Sequence, residues 1–316
     1  MRLFVSLSAS AILSASALAF PASIIEDFDS FPIGTLADGS NQTLGITWQA
    51  TGTAGSTTVQ AHNFNPGSGA ITSRDGTGQF VFMDGSFLTT SPAVLTQQVF
   101  LPDVATQFVD LPDRTFAFQF SQYLGNNPGA EDNRAVSYET QLRSAGGAIF
   151  GGVILVPDEL NPGSSGIQLY SRTNGNFTPS VNFAYTDAST TVRAEVPDDT
   201  WVDFQLIFDF TGLEADWSYR IFYRVVPNIN APGAFQPLFA EDGSVDFLLA
   251  GLDIGPPPGV PNSTNIGQVV FYGERSGVVP TDFSVWDNFT FVPEPASLAL
   301  LGLGSLIFIR RRRAKA

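Results

Sequence analysis

Alternation of apolar and polar residues is the feature that most limits how this chain can fold. In residues 201–210 apolar side chains occupy every second position, and Asp203, Gln205 and Asp209 lie between them. Successive side chains of a strand point to opposite faces, so this segment is predicted to be a strand with one face in a core. The pattern recurs between clusters of Gly, Pro, Asn and Asp, and the body of the chain shows no helical period.

Repetition of this pattern predicts an all-β fold. Other clear strands are expected at residues 116–120, 136–142, 219–225 and 283–291. About a dozen strands without interleaved helices indicate an antiparallel two-sheet β-sandwich. The triple proline at 256–258 is predicted to lie in a long surface loop, because the body that follows it is too short for a second domain.

The order of these elements resembles the concanavalin A-like lectin/glucanase jelly roll. The residues that carry the resemblance are an opening strand at 24–28 followed by Gly34, the paired long strands at 201–204 and 219–223, and a closing strand at 285–291. The resemblance covers architecture only. A galactose-binding-like jelly roll, which also closes on an Asp-Asn strand, is the alternative.

The last 24 residues, PEPASLALLGLGSLIFIRRRRAKA, have three parts. Two prolines keep the tripeptide Pro293, Glu294 and Pro295 extended and accessible. The apolar run 296–309 predicts a short transmembrane helix of roughly 21 Å, less than the hydrocarbon core of about 30 Å, and therefore a weak anchor. The positive-inside bias keeps the basic tail 310–316 in the cytoplasm. The residues expected to stop passage through the membrane are Arg310, Arg311, Arg312 and Arg313.

This order of tripeptide, weak span and basic tail resembles the PEP-CTERM sorting signal of Gram-negative bacteria. The resemblance implies processing at the tripeptide by a membrane-embedded exosortase, in cells that produce exopolysaccharide and form biofilms. It also implies export across the inner membrane, transient anchoring there and a final location at the cell surface or outside the cell. The resemblance predicts where the protein is located and not what activity the residues before the sorting signal have.

The start of the chain agrees with export. Met1 and Arg2 form a short positive region, residues 3–18 are apolar or small, and residues 17–19 form an A-x-A cleavage site. The predicted domains are a signal peptide recognised by the export machinery at 1–19, a sandwich ectodomain at 20–292 and a sorting signal at 293–316.

The composition of the body excludes several classes of function. Residues 20–292 carry 9 Arg and 29 acidic residues, so the net charge is 9 − 29 = −20. Such a surface repels phosphate backbones and excludes nucleic acid as a partner. The chain has no Cys, which excludes disulfides, thiol catalysis and Cys-ligated zinc.

Catalytic motifs are also missing from the sequence. Glu214 and Asp216 are the nearest approach to the E-x-D-x-E strand of laminarinase-type enzymes, but the third carboxylate is absent and a turn is expected there. The single histidine, His62, lies in a loop without a G-x-S-x-G motif. We therefore predict no catalytic residue and a protein that is not an enzyme.

Calcium is the one cofactor that the sequence indicates, as a structural ion. By parity Asp287 shares a strand face with Phe283, Val285, Phe289 and Phe291, and a carboxylate in a core is costly unless it is paired or bound to a metal. A β-bulge that turns Asp287 to solvent is the alternative. The predicted calcium ligands are Glu26, Asp27, Asp29 and Asp287.

Two functions of different class follow for the body. The first is a non-catalytic surface or matrix protein associated with exopolysaccharide, and the alternative is a lectin-like carbohydrate-binding module. A divergent glycan hydrolase or lyase is the third hypothesis. The residues predicted to stack on sugars, because they lie beside polar strand positions or at strand ends, are Trp48, Tyr123, Tyr170, Trp217 and Trp286.

Overall fold

A computed structural model of the chain describes residues 24–26, 28–29, 31–35, 47–51, 57–67, 69–84, 94–100, 115–125, 136–144, 149–157, 163–172, 179–209, 216–248, 266–275 and 283–294. These residues form eighteen strands, and every strand pairing among them is antiparallel. The strands are β1 Ile24–Glu26, β2 Gly34–Thr35, β3 Thr47–Thr51, β4 Thr57–Ala61, β5 Gln79–Asp84, β6 Val94–Phe100, β7 Thr115–Gly125, β8 Val136–Ser144, β9 Ile149–Pro157, β10 Ser164–Arg172, β11 Pro179–Phe183, β12 Glu195–Pro197, β13 Trp201–Asp209, β14 Ser218–Val226, β15 Gln236–Pro237, β16 Phe247–Leu248, β17 Ile266–Arg275 and β18 Phe283–Glu294.

The strands form two sheets, as the alternation predicts. Sheet A has ten strands in the order β15-β14-β13-β7-β18-β5-β4-β2, with β1 paired to β18 and β16 paired to β14. Sheet B has eight strands in the order β11-β10-β9-β8-β17-β6-β3, with β12 paired to β10. The predicted all-β, antiparallel two-sheet sandwich is therefore confirmed.

The main core lies between the two sheets. Sheet A contributes alternate residues of β13, among them Phe204, Leu206 and Phe208, and sheet B contributes Tyr138 and Leu155. All five are fully buried. The register pairs Trp201 of β13 with Tyr123 of β7 and Asp209 with Thr115, so the alternation in one strand continues across the sheet. The prediction that Val202, Phe204, Leu206 and Phe208 share one face is correct.

A second apolar cluster covers the outer face of sheet A. Residues 62–78, which we term the cover segment, fold back over this face, and Ile71 packs there with Phe82, Trp201 and Phe283. The indole Nε1 of Trp201 donates to the carbonyl oxygen of Thr72 at 2.9 Å. Side chains that alternation places on the solvent side of sheet A are therefore buried.

A buried ion cluster fixes the cover segment to sheet A. Arg74 of the segment donates from Nε and Nη2 to the two carboxylate oxygens of Asp203, each at 2.7 Å. Arg224 of β14 donates to the same carboxylate at 2.7 Å, and Ser121 of β7 donates to it at 2.8 Å. Asp203 thus joins three strands and the cover segment in one network.

Some boundaries differ from the sequence prediction. Strands β4 and β11 and the two-residue strands β2, β15 and β16 were not predicted. Strand β18 continues two residues past the predicted end of the ectodomain, since Pro293 pairs with Phe116 and Glu294 with Thr115. The first two residues of the tripeptide are extended, as predicted, but they are paired with β7.

Candidate functional site

The outer face of sheet B, which points away from sheet A, carries a polar network at its centre. In β8 the residues Tyr138 and Leu142 enter the main core, so Glu139, Gln141 and Arg143 point to the opposite face by alternation. Glu139 and Gln141 are nevertheless buried, and Arg143 is half-buried. Three polar side chains therefore follow one another along a single strand of the sheet.

Hydrogen bonds connect these side chains in a row. Arg143 Nε donates to Gln141 Oε1 at 2.8 Å, and Gln141 Nε2 donates to Glu139 Oε2. The hydroxyl of Tyr170, two strands away on β10, donates to the same Glu139 oxygen at 2.8 Å. The positive charge of Arg143 and the negative charge of Glu139 thus lie at two ends of one hydrogen-bonded row, which holds the ring of Tyr170 in place.

Burial and charge set the acidity of two members of this network. Burial, reinforced by the charge of Glu139, raises the pKa of the Tyr170 hydroxyl above its usual value. Burial lowers the pKa of Arg143, although the charge of Glu139 acts in the opposite direction. Tyr170 therefore remains a hydroxyl donor to Glu139 throughout the physiological pH range.

Gly152 allows β9 to pass close to β8 beneath this network. Its Cα pairs with that of Gln141, and its φ is +151°. A Cβ at this position would lie 2.4 Å from the backbone oxygen of Thr140. A backbone oxygen inside a sheet has little freedom to move, so the close approach requires glycine.

Substitution Gly152→Ala is expected to lower the free energy of unfolding by roughly 2–4 kcal/mol, because it adds both backbone strain and a steric clash. Chemical denaturation of the purified protein measures this loss. Gly166→Ala is the matched control on the neighbouring strand, since a Cβ there would meet only the oxygen of Val156 at 3.8 Å. Equal stability of the two variants would contradict the requirement for glycine at position 152.

The edge of the same face is apolar and exposed. In β11, Val181 pairs with Tyr170 and Phe183 pairs with Gln168. Val181 is 50% exposed and Phe183 is 37% exposed, whereas Tyr170 and Gln168 are half-buried. The guanidinium carbon of Arg193 lies 3.7 Å from the centre of the Phe183 ring and holds it from one side.

The sequence did not single out this edge. Strand β11 follows a segment rich in Asn, Gly and Thr, and its own residues, PSVNF, are too few to show a clear period. Of the predicted sugar-stacking residues, Tyr170 lies beside this edge and takes part in the central network. Val181 and Phe183, which the structure places next to it, were not predicted.

The structure places the other four predicted aromatic residues elsewhere. Trp286 lies fully buried in the main core, so its prediction as a sugar-stacking residue is wrong. Tyr123 lies on sheet A between Trp201 and Phe283, with ring centres 5.6 and 6.2 Å away. Trp217 is half-buried against the main core. Trp48 lies in β3 opposite Val99, and its side chain is outside the described part of the structure.

A β-bulge after Asp287 places Asp287 and Phe289 on opposite faces of β18. Between Asp287 and Thr290 the pairing of β18 with β7 shifts by one residue, and Asn288 has a φ of 55°. Asp287 shares a face with Val285, which belongs to the second apolar cluster on the outer face of sheet A. The bulge places Phe289 on the opposite face, in the main core. The predicted common face of Asp287 and Phe289 is wrong, because the bulge moves Phe289 to the core side. Asp287 keeps the face of Val285 and is buried beneath the cover segment, not exposed to solvent.

The carboxylate of Asp287 accepts backbone hydrogen bonds under that segment. Its Oδ2 accepts from the N–H of Arg74 and its Oδ1 from the N–H of Asn288, both at 2.8 Å. Burial raises the pKa of Asp287 to about 8, and the charges of Asp75 and Asp29 act in the same direction. Asp29 thus contributes to the raised pKa of Asp287 and is also one of the predicted calcium ligands. Its Oδ1 already accepts a hydrogen bond from the N–H of Gln79 at 2.6 Å.

The hydrogen bonds of Asp287 and Asp29 occupy carboxylate oxygens that a calcium ion would need as ligands. Calcium takes six to eight oxygen ligands, and the carboxylate oxygens of Asp287 and Asp29 that are named above already cap backbone N–H groups. Within the described residues, no group of three Asp, Glu, His or Cys is arranged to hold a metal ion. Asp27 and the side chain of Glu26 lie outside the described part, so calcium binding stays a prediction.

Asp287 gives stability a pH dependence of definite sign. Its pKa is higher in the folded protein, about 8, than its ordinary value of 3.8, so the folded state holds the proton between these values. The free energy of unfolding is therefore expected to fall as pH rises from about 5 to about 8, by up to about 1.4 kcal/mol per pH unit. Asp287→Asn should flatten this slope in urea unfolding at several pH values, and the exposed Asp246→Asn should not. A slope that survives in Asp287→Asn would contradict the assignment, and a bound calcium ion would remove the slope from the unaltered protein.

One Ser, His and Asp grouping exists in the cover segment, but its connections differ from a catalytic triad. His62 Nδ1 accepts from the N–H of Ser73 at 3.2 Å, and the Ser73 hydroxyl donates to Asp75 Oδ1 at 2.8 Å. In a triad the carboxylate orients the histidine, and the serine faces the substrate. Here Ser73 is fully buried, so the three residues hold the turn of the cover segment.

The sorting residues are described only in part. Pro293 and Glu294 belong to β18, and Pro295, the apolar run 296–309 and Arg310, Arg311, Arg312 and Arg313 lie outside the described residues. In the part of the chain that is described, no helix has the length and apolarity needed to cross a membrane.

Several solved structures are similar to this chain at low identity. The globular domain of T. cruzi calreticulin is 12% identical, with 93% of this chain and 96% of that chain covered and a TM-score of 0.38. A GH131 beta-glucanase catalytic domain from Podospora anserina is 12% identical, with 83% and 85% covered and a TM-score of 0.38. Lectin I-B4 from Griffonia simplicifolia is 9% identical, with 86% and 99% covered and a TM-score of 0.37. Likenesses at this distance assign neither ligand nor activity to this chain.

No curated protein matches the sequence significantly. The C-terminal segment, in contrast, has a clear relationship. Residues 291–313 match the model of the PEP-CTERM protein-sorting motif, so the chain carries this sorting signal at its C-terminus.

Proposed function

We propose that this protein is an exported, non-catalytic β-sandwich that is sorted through its PEP-CTERM motif and binds uncharged polysaccharide along the β10–β11 edge of sheet B. The observation that carries the binding role is the register of this edge, where the exposed Val181 and Phe183 lie opposite Tyr170 and Gln168. We term these four residues the edge patch.

Planar and apolar groups beside amide donors are what a sugar ring requires. A pyranose presents C–H groups on one face and hydroxyl groups around its rim. The ring of Phe183 offers a surface for the C–H groups, and the amide of Gln168 offers a donor and an acceptor. The hydrogen bond from the Tyr170 hydroxyl to Glu139 fixes the Tyr170 ring before binding, so less side-chain freedom is lost when a sugar binds.

The charge of the body selects among polysaccharides. Its net charge of −20 opposes chains of uronates or phosphates, so a neutral polymer of hexoses is the expected ligand. Exopolysaccharide around the producing cell is the source that fits export by this signal. An exosortase-type enzyme is the proposed processing partner of the motif, and the cell surface or its surroundings is the proposed final location.

The central network supports binding and not cleavage. A retaining glycosidase uses two carboxyl groups about 5 Å apart and an inverting one uses two at a greater distance. Among the described side chains of the network, Glu139 is the one carboxylate, and it is committed to Tyr170 and Gln141. Release of reducing ends from a bound neutral polysaccharide would contradict this part of the proposal.

Phe183→Ala is expected to weaken binding to a neutral polysaccharide by about tenfold or more, equivalent to about 1.4 kcal/mol, because it removes the stacking surface. Affinity gel electrophoresis or a polysaccharide pull-down with the purified protein measures this change. Ile33→Ala is the matched control, since Ile33 is 62% exposed but lies beside β2 of sheet A. Equal binding by both variants, or no binding of neutral polysaccharide by the unaltered protein, would contradict the proposal.

A further inference from the structure

The sorting motif leaves the sandwich from one defined end. Strand β18 ends at Glu294, which pairs with Thr115, the first residue of β7. Asp209, the last residue of β13, pairs with the same Thr115 and with Ser218, the first residue of β14. These residues mark what we term the sorting end of sheet A.

The first strand starts at the same end. Strand β1 is antiparallel to β18, and Ile24 pairs with Phe291. The chain therefore enters the sandwich where the sorting motif leaves it. With about 3.3–3.4 Å per strand residue, Phe291 lies only about 10 Å before Glu294. The start of β1 and the end of β18 thus both lie at the sorting end.

The opposite end of sheet A is well separated from the sorting end. There Phe283 pairs with Gly125, and Trp201 pairs with Val226. Strand β7 has 11 residues between the two ends, which corresponds to roughly 34 Å. The hairpin between β14 and β15, at residues 227–235, extends beyond Val226 at this far end.

The tether between the sandwich and the apolar run is short. Only Pro295 separates Glu294 from residue 296, where the apolar run begins. A proline has a fixed φ and adds about 3.3 Å of reach, so the body cannot turn freely on the membrane. The acidic body is also repelled by anionic lipid, which disfavours contact through more than the tethered end.

From this geometry we propose that the unprocessed protein stands on the bilayer with its sorting end against the lipid surface and the far end directed away. The proposal rests on anchoring by the sorting signal, which is part of the proposed function. In this orientation the edge patch, which runs along the side of sheet B, faces the space beside the protein and stays open to a long polysaccharide.

The absence of cysteine allows a direct test with single labels. Asp216→Cys places a fluorophore at an exposed site next to Ser218 at the sorting end, and Ala231→Cys places it at an exposed site of the far hairpin. The full chain is reconstituted into vesicles of phosphatidylethanolamine and phosphatidylglycerol that contain an acceptor-labelled lipid. Energy transfer from the Asp216→Cys label is expected to be at least twofold higher than from the Ala231→Cys label.

Two controls separate the possible results. A flexible Gly/Ser insertion of about 20 residues after Glu294 should reduce the difference, because it releases the body from the short tether. Asn230→Cys repeats the far-end measurement at a second exposed site, in case one variant folds poorly. Vesicle association with equal transfer at both ends would overturn the orientation alone. Failure to associate with vesicles would overturn both the orientation and the anchoring on which it rests.

Discussion

Asp203→Ala is expected to lower the free energy of unfolding by about 3–5 kcal/mol, the loss typical of a buried ion pair deprived of one partner. The substitution leaves Arg74, which is 8% exposed, without the carboxylate that receives its Nε and Nη2. It also removes the acceptor of Ser121 and of Arg224. Denaturant unfolding followed by tryptophan fluorescence suits the measurement, because Trp201 bonds to the cover segment that Arg74 holds.

The neighbouring strand β14 offers a matched control for this prediction. Arg220 of β14 pairs with Asp246 at 2.6 Å, but the side chains are 52% and 40% exposed. Asp246→Ala is therefore expected to cost less than about 1 kcal/mol, because water already screens the pair. Similar losses for the two substitutions would show that burial of Asp203 does not set its contribution.

The pKa of Asp203 gives the effect a pH dependence. Burial alone would raise this pKa, but the hydrogen bonds and charge of Arg74, with Ser121 and Arg224, bring it below the ordinary value. A lowered pKa in the folded protein means that the stabilisation is complete above about pH 4 and is lost as pH falls through the folded pKa. The difference between the unaltered protein and Asp203→Ala should therefore shrink in acid.

The fold class followed from the sequence because alternation is a local property. Each strand with one face in the main core shows its period without reference to its partners, as in β13 and β14. The two-sheet arrangement follows from many such strands and no helix. The positions of β11 and the short strands β15 and β16 depend on pairing with distant residues, and two to five residues do not show a period.

Asp203 shows why the burial of polar residues was harder to predict. Alternation placed it correctly on the face opposite Phe204 and Leu206. It could not reveal that the cover segment, more than a hundred residues earlier, folds over that face and brings Arg74. A loop rich in Gly, Asn and Pro shows no hydrophobic period from which its contact partner could be predicted.

The candidate site was predicted only in the part that local pattern reveals. Tyr170 was selected because it lies beside polar strand positions, and the structure joins it to Glu139. Phe183 was missed because its strand was missed. For Asp287 the sequence left burial and a bulge to solvent as alternatives, and the structure buries it on the face of Val285. The bulge at Asn288 moves Phe289 to the other face, and a bulge depends on the register of the partner strand.

Trp286→Ala is expected to lower the free energy of unfolding by about 3–5 kcal/mol, since among the described residues Trp286 has the largest side chain that is fully buried in the main core. The indole stacks on Phe271 with ring centres 4.7 Å apart and contacts Tyr138 edge-on at 6.3 Å. Its Nε1 donates to Thr140 Oγ1 at 2.9 Å, so the ring links β18 of sheet A to β8 and β17 of sheet B. Thermal and chemical unfolding of the purified variant measure the loss.

Trp286→Phe separates a core role from a ligand-stacking role. Phenylalanine keeps a ring against Phe271 but loses the bond to Thr140, so a smaller loss of about 1–2 kcal/mol is expected, with polysaccharide binding unchanged. A residue that stacked on sugar would behave in the opposite way, since its substitution would weaken binding and leave stability nearly intact. Trp286 joins the two sheets below the Glu139 network, and Thr140→Val removes the hydroxyl that accepts its indole N–H. This variant is therefore also expected to lower the free energy of unfolding, by about 1–3 kcal/mol.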